Sequence, residues 1–274
     1  MLSTLFKAKP IIDEESKAWI FDTFAWCIDQ LDGDFFKKNS ELILPNNTFY
    51  SGSSSSVEEM AKNIFANTTK YTGMTSWPIR LVSAESFSQK PMPQLSFGSA
   101  LRGENCKVSC QSNYEQGNEK IAPEIDIAFH SSQLNQPQDL IAYLVQIQAS
   151  ILVKQNDSLP YATSPPGGQA VLAQTIDLVA CFMGFGVIFA NTAYQFKGGC
   201  GSCNNRSLNR QAALPELETV YALALFSVIK GADIKKVKKE LKSHLYKPFR
   251  QAHKEISLYL THTTNPNHAL LNIK

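Results

Sequence analysis

The stretch "LVACFMGFGVIFA", from Leu178 to Ala190, runs for 13 residues without a polar side chain. A segment like this has to leave water, and it is shorter than the roughly 20 residues that cross a bilayer. It therefore reads as part of a buried helix, "QAVLAQTIDLVACFMGFGVIFANTAYQF", around which the rest of the chain must arrange itself. With 274 residues, 43% of them hydrophobic, the chain can surround such a helix with a packed core. We expect one compact unit over residues 1–274, with an α+β portion at 1–134 and a helical portion at 135–274.

The remaining elements follow from periodicity and punctuation. "ESKAWIFDTFAWCIDQL" places Trp19, Phe21, Phe24, Ile28 and Leu31 largely on one helical side. Ser56 and Glu59 have the spacing of a capping box that opens a second helix. "LILPNNTFY" is strand-like, and so are residues 76–84, 93–100 and 123–130, whereas "RGENCKVSCQSNYEQGNEK" between the last two is polar and loop-like. Pro137 opens "PQDLIAYLVQIQASILVKQ" as a helix. "LPELETVYALALFSVIKG" is another, and "IKKVKKELKSHLYKPFRQAHKEISLYL" divides into two helices near Pro248. The expected fold class is α+β. A small N-terminal or central sheet with flanking helices is followed by a mostly helical C-terminal half.

The helix at 137 onward raises a chemical question. Within "YLVQIQASILV" lie three uncharged polar residues, Gln146, Gln148 and Ser150. A zinc hydrolase helix of the HExxH kind carries two His four residues apart and a Glu as general base. It often reads L-x-H-E-L-A-H-x-L. Laid over Leu144–Leu152, that pattern puts Gln146 at the first His, Ile147 at the Glu, and Ser150 at the second His, while Ala149 matches. On a following helix, Asp177 stands where a third ligand would come from.

From about Asn135 to Leu260 the chain resembles a family of poorly characterised bacterial zincin-like metallopeptidases with a HELAH-type helix. "TIDLVACFMGFGVIFAN", with the spacing of Gly184, Gly186 and Asn191, and "VYALALF" carry the resemblance together with the site helix. It implies a zincin-like fold with "EIDIAFH" as a strand just before the site helix. The departures decide the activity. Both His and the Glu are gone, and Gln and Ser are poor zinc ligands. Without the Glu no base stands beside a metal-bound water. The expectation is a catalytically inactive relative that serves a protein partner as a binding or regulatory module. In such a degenerate site, Gln146 and Ser150 would satisfy a buried Asp177, and Asp177→Ala would cost roughly 1–3 kcal/mol. The bland alternative has Gln146 and Ser150 facing a cleft and Asp177 capping a helix.

Cys106, Cys110, Cys200 and Cys203 form two close pairs, C-x3-C and C-x2-C, in polar loops. In a reducing compartment this arrangement fits a structural zinc bound by four thiolates. The C-x-x-C at Cys200 and Cys203 also allows thiol-redox work. Cys27 and Cys181 lie on apolar faces and read as core residues. An active metal-dependent hydrolase with unorthodox ligands, such as Asp177 and His130, is the other alternative. "MLSTLFKAKPIIDEESK" shows no secretory signal, so the expected location is the cytoplasm, and no membrane span is expected. The formal charge is only +2, yet nine Lys or Arg lie between Lys230 and Lys254 against Asp233 and Glu240. With only Tyr246 and Phe249 there as stacking candidates, that stretch reads as a solvated face rather than a nucleic-acid surface.

Overall fold

The computed structural model describes residues 10–52, 54–110, 124–157, 159–193 and 210–272. Three helices come first: α1 (Glu14–Gln30), α2 (Gly33–Asn39) and α3 (Val57–Thr72). Asp13 caps α1 by accepting from the Ser16 N–H at 2.7 Å. At α3, Ser56 accepts from the Glu59 N–H, while the Glu59 carboxylate reaches one residue further back to Ser55.

Among the described residues four short strands follow: β1 (Ile79–Ser83), β2 (Leu95–Phe97), β3 (Val108–Cys110) and β4 (Ile125–Phe129). They make two separate ladders rather than the one small sheet expected. β1 runs parallel to β4, with Ile79 opposite Ile125 and Ser83 opposite Phe129. β2 runs antiparallel to β3, with Leu95 opposite Cys110. β3 falls inside the stretch read as loop, because three residues of a hairpin arm are too few to show a period. "LILPNNTFY" joins no ladder, although Ile43 and Leu44 are buried.

The helical half comprises α4 (Pro137–Asn156), α5 (Leu172–Ala180), α6 (Gly186–Thr192), α7 (Glu216–Ile229), α8 (Ile234–Glu240), α9 (Ser243–His262) and α10 (Pro266–Ala269). α4, α5, α6 and α7 pack on one another, and α9 lies along α7. A single hydrophobic cluster joins both halves, from Ile12 to Leu271. Among the described residues one helical stretch, Gly168–Thr192, is long and apolar enough to span a membrane, but 72% of its most apolar window is buried inside the fold.

The long apolar helix is broken. Between α5 and α6, Cys181–Phe185 forms a wider turn in which Gly184 has φ +100°. The carbonyl of Gly184, turned sideways, accepts from the Ile43 N–H at 2.9 Å. A Cβ on Gly184 would collide with the Glu41 carbonyl oxygen. Gly186 leaves room for Leu223 of α7, 3.0 Å from where its Cβ would lie. The glycines thus let the 41–44 segment and α7 approach the core backbone.

The second break differs from expectation. Pro248 sits inside α9, and the chain leaves helical geometry at Leu241 and Lys242 instead. Asn191 of α6 explains the position. Its amide donates to the Glu240 carbonyl at 2.8 Å, and its oxygen accepts from the Lys242 N–H at 2.9 Å. One side chain thereby satisfies the backbone on both sides of the gap.

At the chain's end, α10 folds back on α1. His268 is buried and stacks on Phe21. Its Nε2 donates to Asp22 at 2.9 Å, and its Nδ1 accepts from the Tyr259 hydroxyl at 2.6 Å.

Gly184→Ala should destabilise the protein by about 2–4 kcal/mol in urea unfolding, from left-handed strain plus a backbone collision. Gly231, at φ +60° in open space, supplies the control. Its alanine variant should lose only about 1 kcal/mol, because strain acts there alone.

Candidate functional site

α4 carries the residues that the sequence singled out. It opens at Pro137 after the Ser131–Asn135 turn, whose cap is His130 accepting from the Ser132 N–H. Successive helical residues are about 100° apart, so Gln148 lies across α4 from Gln146 and Ser150, which stand four residues apart on one face. The structure sends them three ways. Gln148 is fully buried against α3, where its amide donates to Thr68 and Thr69 and its oxygen accepts from Thr72. Gln146 turns toward α5. Ser150 faces an open groove.

Gln146 and Asp177 meet. The Gln146 amide donates to Asp177 Oδ1 at 2.8 Å and to the Gln211 carbonyl at 3.1 Å. Asp177 is fully buried, and its other oxygen, Oδ2, accepts three more bonds. These come from Arg210 at 2.9 Å, from the Ala213 N–H at 2.9 Å and from the Leu214 N–H at 3.0 Å. Arg210 is 2% exposed. Its guanidinium also donates to the Phe189 carbonyl and the Thr192 hydroxyl of α6, and it lies 4.0 Å from the Phe189 ring centroid. An ionised carboxylate can lose water at modest cost only when donors replace it, and Asp177 has four.

Sequence reasoning misses Arg210 and the 213–214 amides. An aspartate inside an apolar helix signals that donors must exist, but nothing marks which residues supply them. Ser150, for which the sequence allowed either Asp177 or a cleft, takes the cleft. It lines a groove of about 230 Å³ with Ile147 and Lys154, facing Phe87, Met92 and Asp126 of β4. Burial works against the Asp126 charge, but Arg80 and Lys90 outweigh it and hold the carboxyl below its ordinary pKa. His130 stays at its cap, with Nε2 4.0 Å from Glu85. It takes no part in the Asp177 cluster.

Of the four cysteines read as zinc ligands, Cys200 and Cys203 lie outside the described residues, as does the side chain of Cys110. Cys106 is buried, and its thiol donates to the Leu101 carbonyl at 3.1 Å. Burial, helped by Asp32, pushes that thiol up to about 11. A thiol becomes a zinc ligand by losing its proton, and a bound zinc ion itself drives that loss. Cys27 and Cys181 are fully buried, as expected, and burial raises both thiols above the ordinary range. Among the described residues no three His, Cys, Asp or Glu side chains gather as a metal cluster would.

No protein-family model, curated protein or solved structure matches the chain. A functional reading of the chain therefore rests on its geometry.

The cluster predicts a ranked mutational series in urea unfolding. Asp177→Ala should cost about 3–5 kcal/mol, because it strands a buried guanidinium. Gln146→Ala should cost about 1 kcal/mol. Ser150→Ala should change stability by less than about 0.5 kcal/mol, since no described group bonds to that hydroxyl. A second test concerns the thiols. Cys27, Cys106 and Cys181 should resist a thiol reagent at pH 8 in the native protein and react once it is denatured.

Proposed function

We propose that the chain is a catalytically inactive, zincin-like protein of the cytoplasm that works as a binding module for a protein partner. The observation that carries this reading is the saturation of Asp177. Both carboxylate oxygens are engaged by four donors, so neither is available to a metal or to a proton in transit. The positive charge that a metal would bring is supplied by the Arg210 guanidinium. Gln146 and Asp177 converge as a first and a third ligand of a zincin would, which supports descent from such a site. Ser150, at the second position, has turned away into the groove.

The partner's contact falls in the groove beside α4, which Ile147 and Ser150 of the same helix line. Ile147 and Met92 line it with apolar contact, and Lys154, Lys90, Glu124 and Asp126 edge it with charge. That combination suits a short peptide segment of a partner that offers one or two apolar side chains and charges of both signs.

Peptidase assays with and without chelator, together with metal analysis, test the first half of the proposal. The expected result is no chelator-sensitive hydrolysis and no zinc that Asp177→Asn removes. Chelator-sensitive cleavage would overturn it. Zinc lost on Cys200→Ser/Cys203→Ser would instead restore the four-cysteine site. The groove is tested by selecting peptides on the purified protein. Their affinity should fall at least tenfold in Ile147→Arg, since a charge would then stand in the apolar contact.

A further inference from the structure

The cations near the C terminus form a continuous surface. α8 exposes Lys235, Lys236, Lys238 and Lys239, the turn exposes Lys242, and α9 exposes Lys247, Arg250 and Lys254. Among the described residues none of these eight stands in a salt bridge. The three carboxylates nearest in sequence are otherwise engaged, Glu255 with Lys17 at 2.6 Å. Asp233 caps α8 by accepting from the Lys235 N–H, and Glu240 accepts from Asn46. The Tyr246 ring binds the two helices' charges together, with Lys238 5.3 Å and Arg250 6.0 Å from its centroid.

The shape of α9 adds a second feature. Leu245, Phe249, Ala252, Ile256 and Leu260 recur at helical spacing and are buried. Lys247, Arg250 and Lys254 lie on the opposite side of the helix. The same outward line continues into Leu258, which is 56% exposed. Leu270, 51% exposed, follows α10, which His268 holds against Tyr259. The cationic face of α9 thus ends in an exposed leucine, Leu258.

We propose that this face docks on an anionic lipid surface. The lysines and Arg250 meet the headgroup charge, and Leu258 and Leu270 enter the boundary with the acyl chains. The inference uses other residues than the proposed function and stands apart from it. Nucleic acid fits less well, because single strands require exposed aromatic faces. Phe249 is fully buried, and the Tyr246 ring already carries Lys238 and Arg250. A phosphodiester backbone also has no use for the leucines. The helix does not enter the bilayer, since its apolar side is already packed against α7.

Flotation of the full chain with phosphatidylcholine vesicles, with and without phosphatidylserine, tests the proposal. Binding is expected only with phosphatidylserine and should weaken with salt. Replacing Lys247, Arg250 and Lys254 together by Gln should lower partitioning about a hundredfold. Leu258→Ser should lower it about tenfold. All four positions are exposed, and matching thermal melts verify that the variants fold. No binding to the phosphatidylserine vesicles, or binding that either variant leaves unchanged, overturns the proposal. So does duplex DNA binding that the triple variant abolishes and Leu258→Ser spares, which would assign the face to nucleic acid.

Discussion

The buried pair of Asp177 and Arg210 determines how the helical half is assembled. Removing two charges from water is expensive, and their mutual attraction offsets that only when every remaining donor and acceptor is used. Here the aspartate also takes Gln146 from α4 and two backbone amides just ahead of α7, while the guanidinium reaches the last turn of α6. Four segments are therefore held in one register. A purely apolar contact of the same size would tolerate a slip of one helix along another. This hydrogen-bonded knot does not, because any slip leaves a buried charge without a partner.

Around that knot the apolar chain is shaped by two interruptions. At Gly184 the backbone carbonyl swings out to bond Ile43, which stitches the N-terminal portion into the centre of the C-terminal one. At Leu241–Lys242 the Asn191 side chain stands in for the missing helical bonds. The work of Gly184, Gly186 and Asn191 in the described fold is close packing and backbone satisfaction.

The coarse α+β order and the position of α4 are legible in the sequence because long apolar periods and a helix-opening proline leave strong local signals. The burial of Cys27 and Cys181 is legible for the same reason. The division of labour among Gln146, Gln148 and Ser150 is less so. Helical geometry separates Gln148 from the other two, but only the tertiary neighbours send Gln146 to Asp177 and Ser150 to the groove. Local grounds place the break in the C-terminal helices at Pro248, and a side chain some fifty positions away moves it to Leu241. Arg210 is hidden for a similar reason. A cation in a polar stretch looks like any solvated one until the fold brings it to an aspartate in the core. The two ladders merge in the sequence because β3 has too few residues to display alternation.

The clasp of His268 between Asp22 and Tyr259 bears on how the protein is made. α1 is synthesised first, yet the group that covers its Phe21 arrives 246 residues after Asp22. Until residue 268 has cleared the ribosome, Phe21 lacks its stacked imidazole, and the long apolar segment emerges before α7 and α9 exist to bury it. The nascent chain thus exposes hydrophobic surface until these later segments emerge, the condition under which chaperones engage a polypeptide.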